Sequence, residues 1–209
     1  MRTLVIDGAT EACSVALFDE AQLIAGEWRM LNRGHAEQLV PMIAALPDKG
    51  RADRIAVALG PGSFTGLRVG LAAARALALA WGAQLAGYPT LELVAAMARN
   101  PDVVVAMTGG HGEWFVQGFG THARPLTSMK PQDAAALTAD CVAGSQAEAL
   151  VTLRGTGMAT PLWPDARDFA LLPASALHRD VSPLYGRAPD AKLPGAKLPE
   201  TGSANAAAS

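Results

Sequence analysis

Gly60-Pro61-Gly62-Ser63-Phe64-Thr65-Gly66-Leu67-Arg68-Val69-Gly70 is the stretch whose residue types and spacing most invite chemistry. A glycine-rich turn between a strand and a helix binds anions, because backbone N–H groups and the positive end of the helix converge there. The parts that a nucleotide loop needs are absent, however. A P-loop requires Gly, four residues, then Gly-Lys-Ser/Thr. The second glycine falls due at Thr65 or Leu67, and the nearest cation is Arg68. The dinucleotide fingerprint misses by one residue, since Gly60 and Gly62 are followed by Gly66. Two readings remain, a bound anion and a structural turn, and the residues favour the turn.

Metal and nucleophile chemistry find less. His35, His111, His122 and His178 are the histidines, and no two share metal-ligand spacing on one helix. His35 and Glu37 do not begin a zinc-protease motif, because the second histidine's place is taken by Leu39. Cys13 and Cys141 are far apart and read as reduced core thiols. The 209 residues carry a net charge of −2 without blocks of like charge, which argues against a dedicated nucleic-acid surface. The chain opens directly on a strand-like run, so no secretory leader is expected. The longest apolar run, Val69 to Trp81, is interrupted by Arg75 and reads as too short for a bilayer. A cytoplasmic protein without membrane contact is the expectation.

The elements that position the glycine turn follow from hydrophobic period. Thr3 to Asp7, Cys13 to Phe18 and Gln22 to Met30 read as strands, the last two as a hairpin through Asp19-Glu20. His35 to Leu46 reads as a helix with Leu39, Met42, Ile43 and Leu46 on one face, starting late or bending at Pro41. The strand from Ile55 to Leu59, the glycine turn and a helix from Gly66 to Trp81 come next. Gln84 to Ala86 is a short strand, and Thr90, a candidate N-cap, opens a helix to Ala98. After Asn100-Pro101 the pattern restarts, with strands at Val103 to Met107 and Trp114 to Phe119, mixed material over Cys141 to Arg154, and a short helix at Pro173 to Arg179. Residues 190–209 shift to Pro, Ala, Gly and Ser and read as disordered; they repeat Ala191-Lys192-Leu193-Pro194 as Ala196-Lys197-Leu198-Pro199. The fold class is α/β, with an antiparallel hairpin beside parallel strands.

Between Gly66 and Trp81 the only polar side chains are Arg68 and Arg75. A helix so apolar all round has no ordinary water-facing side. Gly66, Gly70, Ala73, Ala74 and Leu77 form a small-residue stripe suited to close packing. Either the helix is sandwiched within the chain, or a second protein covers one face.

Three blocks carry a resemblance to a known family. Ile6-Asp7-Gly8-Ala9-Thr10-Glu11-Ala12-Cys13-Ser14-Val15-Ala16-Leu17, His35-Ala36-Glu37-Gln38-Leu39-Val40-Pro41, and Gly60 through Gly70 stand in the order and spacing of the bacterial TsaB family. Pro183-Leu184-Tyr185-Gly186-Arg187 resembles that family's C-terminal Pro-x-Tyr-x-Arg element. The resemblance is strong over residues 1–100 and patchy over 101–187.

The resemblance implies an actin-like fold of two subdomains, residues 1–100 and a reduced 101–189. It implies a non-catalytic scaffold subunit that pairs with the catalytic TsaD, joined by the ATPase TsaE. Together these form N6-threonylcarbamoyladenosine at position 37 of tRNAs reading codons that start with A. Contact of this chain with tRNA would be indirect or weak. Pairing, or homodimerisation, would use the first two helices, which points to His35, Glu37, Leu39, Met42, Ile43, Leu46, Gly66, Arg68, Gly70, Ala73, Ala74 and Leu77. Asp7-Gly8-Ala9-Thr10 occupies the place of an actin-like phosphate loop, although the family generally has Thr at Gly8. Asp7, Gly8, Thr10, Gly60, Gly62, Ser63, Gly155 and Gly157 are therefore candidates for a vestigial nucleotide cleft. The family's Asp-x-Arg is replaced here by Thr108-Gly109-Gly110, with Gly112-Glu113 retained. No histidine pair stands where the catalytic relative holds its metal. No cofactor is assigned to this chain; ATP or ADP and a metal belong to the wider complex. The competing reading is a stand-alone actin-like ATPase or kinase. A metallopeptidase is the weakest of the three.

Overall fold

The computed structural model describes residues 1–184 and 186. The disorder expected for 190–209, together with Tyr185 and Arg187 of the C-terminal element, lies outside the described residues.

Among the described residues ten strands form two five-stranded sheets with the same strand order. The first contains β1 (Arg2–Asp7), β2 (Ala12–Asp19), β3 (Gln22–Met30), β4 (Arg54–Ala58) and β5 (Gln84–Tyr88), in the order β3-β2-β1-β4-β5. The second contains β6 (Val104–Thr108), β7 (Trp114–Gly118), β8 (Arg124–Met129), β9 (Cys141–Ala143) and β10 (Met158–Thr160), in the order β10-β9-β6-β7-β8. In both, the first three strands in sequence pair antiparallel and the last two join parallel to the first. One strand-turn-strand unit thus recurs twice.

Alternation on β1 explains the layering. Leu4 and Ile6 face one side with Cys13, Val15 and Leu17, where α1 (His35–Ala45) contributes Leu39, Met42 and Ile43, and α2 (Phe64–Trp81) contributes Leu71 and Ala74. Val5 faces the other side with Ala16, Ala56 and Leu93 of α3 (Thr90–Met97). Leu91 and Val94 of α3 reach instead to Val103, Val105 and Met107 of the second sheet, so this short helix lies between the two sheets. The far face of the second sheet is covered by Ala134 of α4 (Pro131–Ala135) and by Ala147 and Leu150 of α5 (Ala147–Arg154).

Several expectations are modified. α1 begins at His35 and runs through Pro41 without a late start. α2 begins at Phe64, because the Ser63 side chain caps it by accepting the Gly66 N–H at 3.2 Å. At 18 residues α2 is also long and apolar enough to cross a membrane by composition, contrary to the shorter run read from sequence. Its buried residues, however, lie on the chain's own first sheet. Thr90 does not cap α3; it is the first helical residue after Pro89, and its buried hydroxyl has no partner. The helix expected at Pro173 to Arg179 is a single 3-10 turn at Ala174–Ala176, after which His178 bridges to Gly87 on β5. Residues 166–184 do not join the second sheet. Ala166 donates its N–H to Ser14 Oγ, Phe169 packs against Phe18 and Tyr88, and the Leu184 N–H returns to the Leu59 carbonyl.

Candidate functional site

The corresponding hairpin turns of the two sheets, Ala9-Thr10-Glu11 after β1 and Thr108 to His111 after β6, face each other across a cleft of about 620 Å³. The first turn of α2 forms one wall through Gly62, Ser63, Phe64, Leu67 and Arg68, and Phe115 and Leu184 complete it.

The floor of this cleft is closed by backbone. The Ser63 N–H, at the head of α2, donates to the Ala9 carbonyl at 2.6 Å. That is a donor which an anion cradle would have to leave open. A Cβ at Gly62 would overlap Ala9, and one at Gly66 would overlap the Gly8 carbonyl oxygen. The glycines therefore allow the two loops to touch each other. The same contact accounts for Gly8, where a Cβ would stand 3.2 Å from the Gly66 oxygen and 3.5 Å from the His35 ring. A threonine has little room there.

Asp7 lies beneath the floor with 1% of its surface exposed. One carboxylate oxygen accepts the Ala9 N–H at 3.0 Å and the other accepts the Tyr88 hydroxyl at 3.0 Å. Burial raises its pKa to about 7 against those hydrogen bonds, and Asp165 adds to the rise. Burial also pushes the Tyr88 phenol well above its ordinary value, helped by Asp7. This is a carboxyl tied into the core, without the exposure that metal-bound nucleotide contact requires.

The candidate cleft residues therefore divide. Thr10, Gly62 and Ser63 line the cleft, while Asp7, Gly8 and Gly60 are packed in or below its floor. Gly155 and Gly157 are elsewhere. Gly155, at φ 77°, caps the far end of α5, and Arg154 bonds the Leu137 and Ala139 carbonyls beside Gly157. Because α5 runs back from the cleft end of β9, its C-terminus stands at the opposite edge of the sheet. Where the family's acid and arginine are replaced, Thr108 instead bonds the Ser145 hydroxyl at 3.1 Å and accepts from Gln146 Nε2 at 3.0 Å. Among the described residues no group of three His, Cys, Asp or Glu side chains could hold a metal. Cys13 and Cys141 are free and buried, and burial pushes the Cys13 thiol up to about 12.

The residues expected on a partner face are also redistributed. Leu39, Met42, Ile43, Leu46, Gly66, Gly70 and Ala74 are buried against the chain's own first sheet, and Ala73 and Leu77 are partly buried beside them. His35 is buried too, 3.3 Å from the Ala12 carbonyl. The periodic apolar stripe is covered by the chain's own first sheet. Of the expected set only Glu37 and Arg68 point outward, and Arg68 stacks on the Phe64 ring at 3.5 Å. What the outer surface of α1 and α2 does present is Val40 at 61% exposed, Leu79 at 88%, and Ala36, Ala44, Ala72, Ala76 and Ala80. Arg75, also on α2, turns its guanidinium to the Val181 carbonyl. Neither Leu79 nor Val40 is among the residues named from the sequence, although the all-round apolarity of α2 signals that some apolar side chains must stay exposed.

Comparison with known proteins places these features. Residues 29–148 match the family model TsaD, tRNA N6-adenosine threonylcarbamoyltransferase. The tRNA threonylcarbamoyladenosine biosynthesis protein TsaB of Escherichia coli is 39% identical over 100 residues, 46% of this chain and 43% of that protein. Its Bacillus subtilis counterpart is 32% identical over 111 residues, 51% of this chain and 48% of that protein. An uncharacterised protein of Mycobacterium leprae is 33% identical over 204 residues, 90% of this chain and 55% of that protein. The chain spans about half the length of the curated relatives it matches. A crystal structure from Pseudomonas aeruginosa, described as similar to the peptidase YeaZ, superposes with a TM-score of 0.69 at 26% identity. It covers 89% of this chain and 99% of that one. The two helix-flanked mixed sheets are thus the actin-like architecture of those structures.

Proposed function

The chain belongs to the TsaD family and is a homologue of its TsaB/YeaZ-type members in the actin-like superfamily, and within that family we propose that it is a non-catalytic subunit which pairs with a catalytic TsaD. In this reading the pair forms N6-threonylcarbamoyladenosine at position 37 of tRNAs that read codons starting with A, TsaE joins the two, and the chain works in the cytoplasm. Its contact with tRNA is indirect or weak.

The observation that carries the reading is the outer face of α1 and α2. Leu79, Val40 and five alanines lie in the open on two adjacent helices, with few charges among them. Large apolar side chains left open on neighbouring helices are what a protein contact would cover. Alanines let a partner helix approach closely, and Leu79 and Val40 supply the larger apolar contacts. The cleft floor supports the same reading, because the Ser63 N–H at the head of α2 is already bonded to the Ala9 carbonyl.

Size-exclusion chromatography of the chain mixed with its cognate TsaD tests the proposal. A shared peak is expected, lost in Leu79→Glu and retained in a control substitution on β3. Two separate peaks for the unsubstituted proteins would overturn it. Calorimetric titration with Mg-ATP separates the alternative of a stand-alone ATPase or kinase, for which tight binding and turnover by the isolated chain are required.

A further inference from the structure

The edges of the two sheets are not alike. β5 is bridged at Gly87 by His178, β8 carries Pro125, and β10 is only three residues long. Each of these features blunts an edge against further pairing. β3 has none of them. It runs nine residues, Gln22–Met30, and pairs with β2 on one side. Among the described residues its outer row of N–H and C=O groups pairs with no other backbone. A bulge opposite Leu17 and Phe18 re-aims the start of the strand, and the register from Ala25 to Met30 is unbroken. Glu27 and Arg29 lie on that regular stretch, opposite Val15 and Cys13 and so on the α1 side of the sheet, with Trp28 half-buried on the other face. Arg29 holds Glu27 Oε1 through Nε at 2.6 Å and the Gln38 side chain of α1 through Nη1 at 2.8 Å. Among the described residues no bond is made to Glu27 Oε2, and the guanidinium has further donors to give. Both side chains reach solvent, Arg29 at 44% exposed and Glu27 at 31%.

We propose that β3 pairs antiparallel with β3 of a second copy of this chain, Trp28 opposite Trp28, so that the two first sheets join through their edges. This contact is separate from the pairing with TsaD and does not depend on it. Symmetry and charge select the register. Hydrogen-bonded and non-bonded pairs alternate along an antiparallel ladder, so the axis relating two identical strands must set one residue opposite its own copy. Centring on Glu27 or on Arg29 sets like charges face to face, which is unfavourable. Centring on Gly26 would pair the whole strand, but it runs through the bulge and sets Glu27 against Ala25 and Arg29 against Leu23. Centring on Trp28 sets Glu27 of each copy opposite Arg29 of the other, so the favourable pair is made twice. Gly26 to Met30 then pair on each side, all within the unbroken register. The aromatic pair at the axis adds a favourable cross-strand contact. The ladder is short, so the association is weak and depends on concentration.

Sedimentation equilibrium of the full chain, over about a hundredfold range of concentration up to about 1 mM, tests this. A monomer–dimer equilibrium is expected. Glu27→Arg or Arg29→Glu alone sets like charges opposite each other at both pairs, and each should raise the Kd about tenfold or more. An equimolar mixture of these two variants should dimerise again, because one copy then brings two cations opposite two anions of the other. A variant that merely disturbed its own fold would not be rescued in this way. Leu79→Glu should leave the equilibrium unchanged. A chain that stays monomeric throughout would overturn the proposal, as would a mixture of the two variants that fails to recover. A dimer that survives both charge reversals, or that is lost in Leu79→Glu, would overturn it too, the latter by placing the contact on the outer face of α1 and α2.

Discussion

Replacing Asp7 with asparagine should stabilise the protein at neutral and alkaline pH and destabilise it slightly in acid. The folded-state pKa of about 7 lies above the ordinary 3.8, because burial outweighs the hydrogen bonds from Ala9 and Tyr88. Between those values the folded state holds a proton that the unfolded state has released. Stability then falls as pH rises, by up to about 1.4 kcal/mol per pH unit. The contribution is complete below about pH 4 and is lost through about pH 7. Over this span of about three pH units the loss reaches about 4 kcal/mol. Asparagine carries no such slope. Its Oδ1 can still accept the Ala9 N–H, while its amide group meets the Tyr88 oxygen, an exchange worth about 1 kcal/mol of loss. The variant should be about 1 kcal/mol less stable at pH 4 and about 3 kcal/mol more stable at pH 8. Urea unfolding at half-unit intervals of pH measures both curves. Parallel curves, with a gap independent of pH, would refute the argument. They would mean that Asp7 ionises alike in both states, and its reading as a core carboxyl would fall with them.

Other substitutions probe the packing and the outer face. Gly66→Ala should cost about 1–3 kcal/mol, because its Cβ overlaps the Gly8 carbonyl. Gly70→Ala should gain up to about 1 kcal/mol, since its Cβ meets only Ile6 and Val57 at 3.7 and 3.8 Å; urea unfolding of the two variants checks the contrast. Phe169→Ala, which removes the ring set between Phe18 and Tyr88, should cost about 3–5 kcal/mol in the same assay. Leu79→Glu should leave the unfolding midpoint within about 0.5 kcal/mol of its original value while weakening association with TsaD, whereas Leu39→Ala should cost about 2–5 kcal/mol because Leu39 is core.

The first half of the fold was legible because the apolar signals of its elements are strong. β1, β2 and β4 are short apolar runs buried almost throughout, and α1 and α2 repeat apolar residues at helical spacing. β8 and α4 were missed. β8 contains Pro125 and polar residues with no buried position in its span, and α4 has only five residues, too few to show a period. The start of α2 was placed two residues late because Gly66 reads as an end of the turn, although Ser63 three residues before it is a capping signal.

A partner face on α2 is hard to read from sequence for a different reason. A stripe of small and apolar side chains has the same sequence appearance whether a sheet or another protein covers it. Once Leu71, Ala74 and Gly70 are committed to the first sheet, the rest of α2 still offers Ala72, Ala76, Leu79 and Ala80 to the outside. The useful signal was the apolar excess over what one sheet can cover. Likewise the glycine turn gave its position but not its use. Only the contact of Gly62 and Gly66 with Ala9 and Gly8 distinguishes a turn that cradles an anion from one that fills the same space with its own backbone.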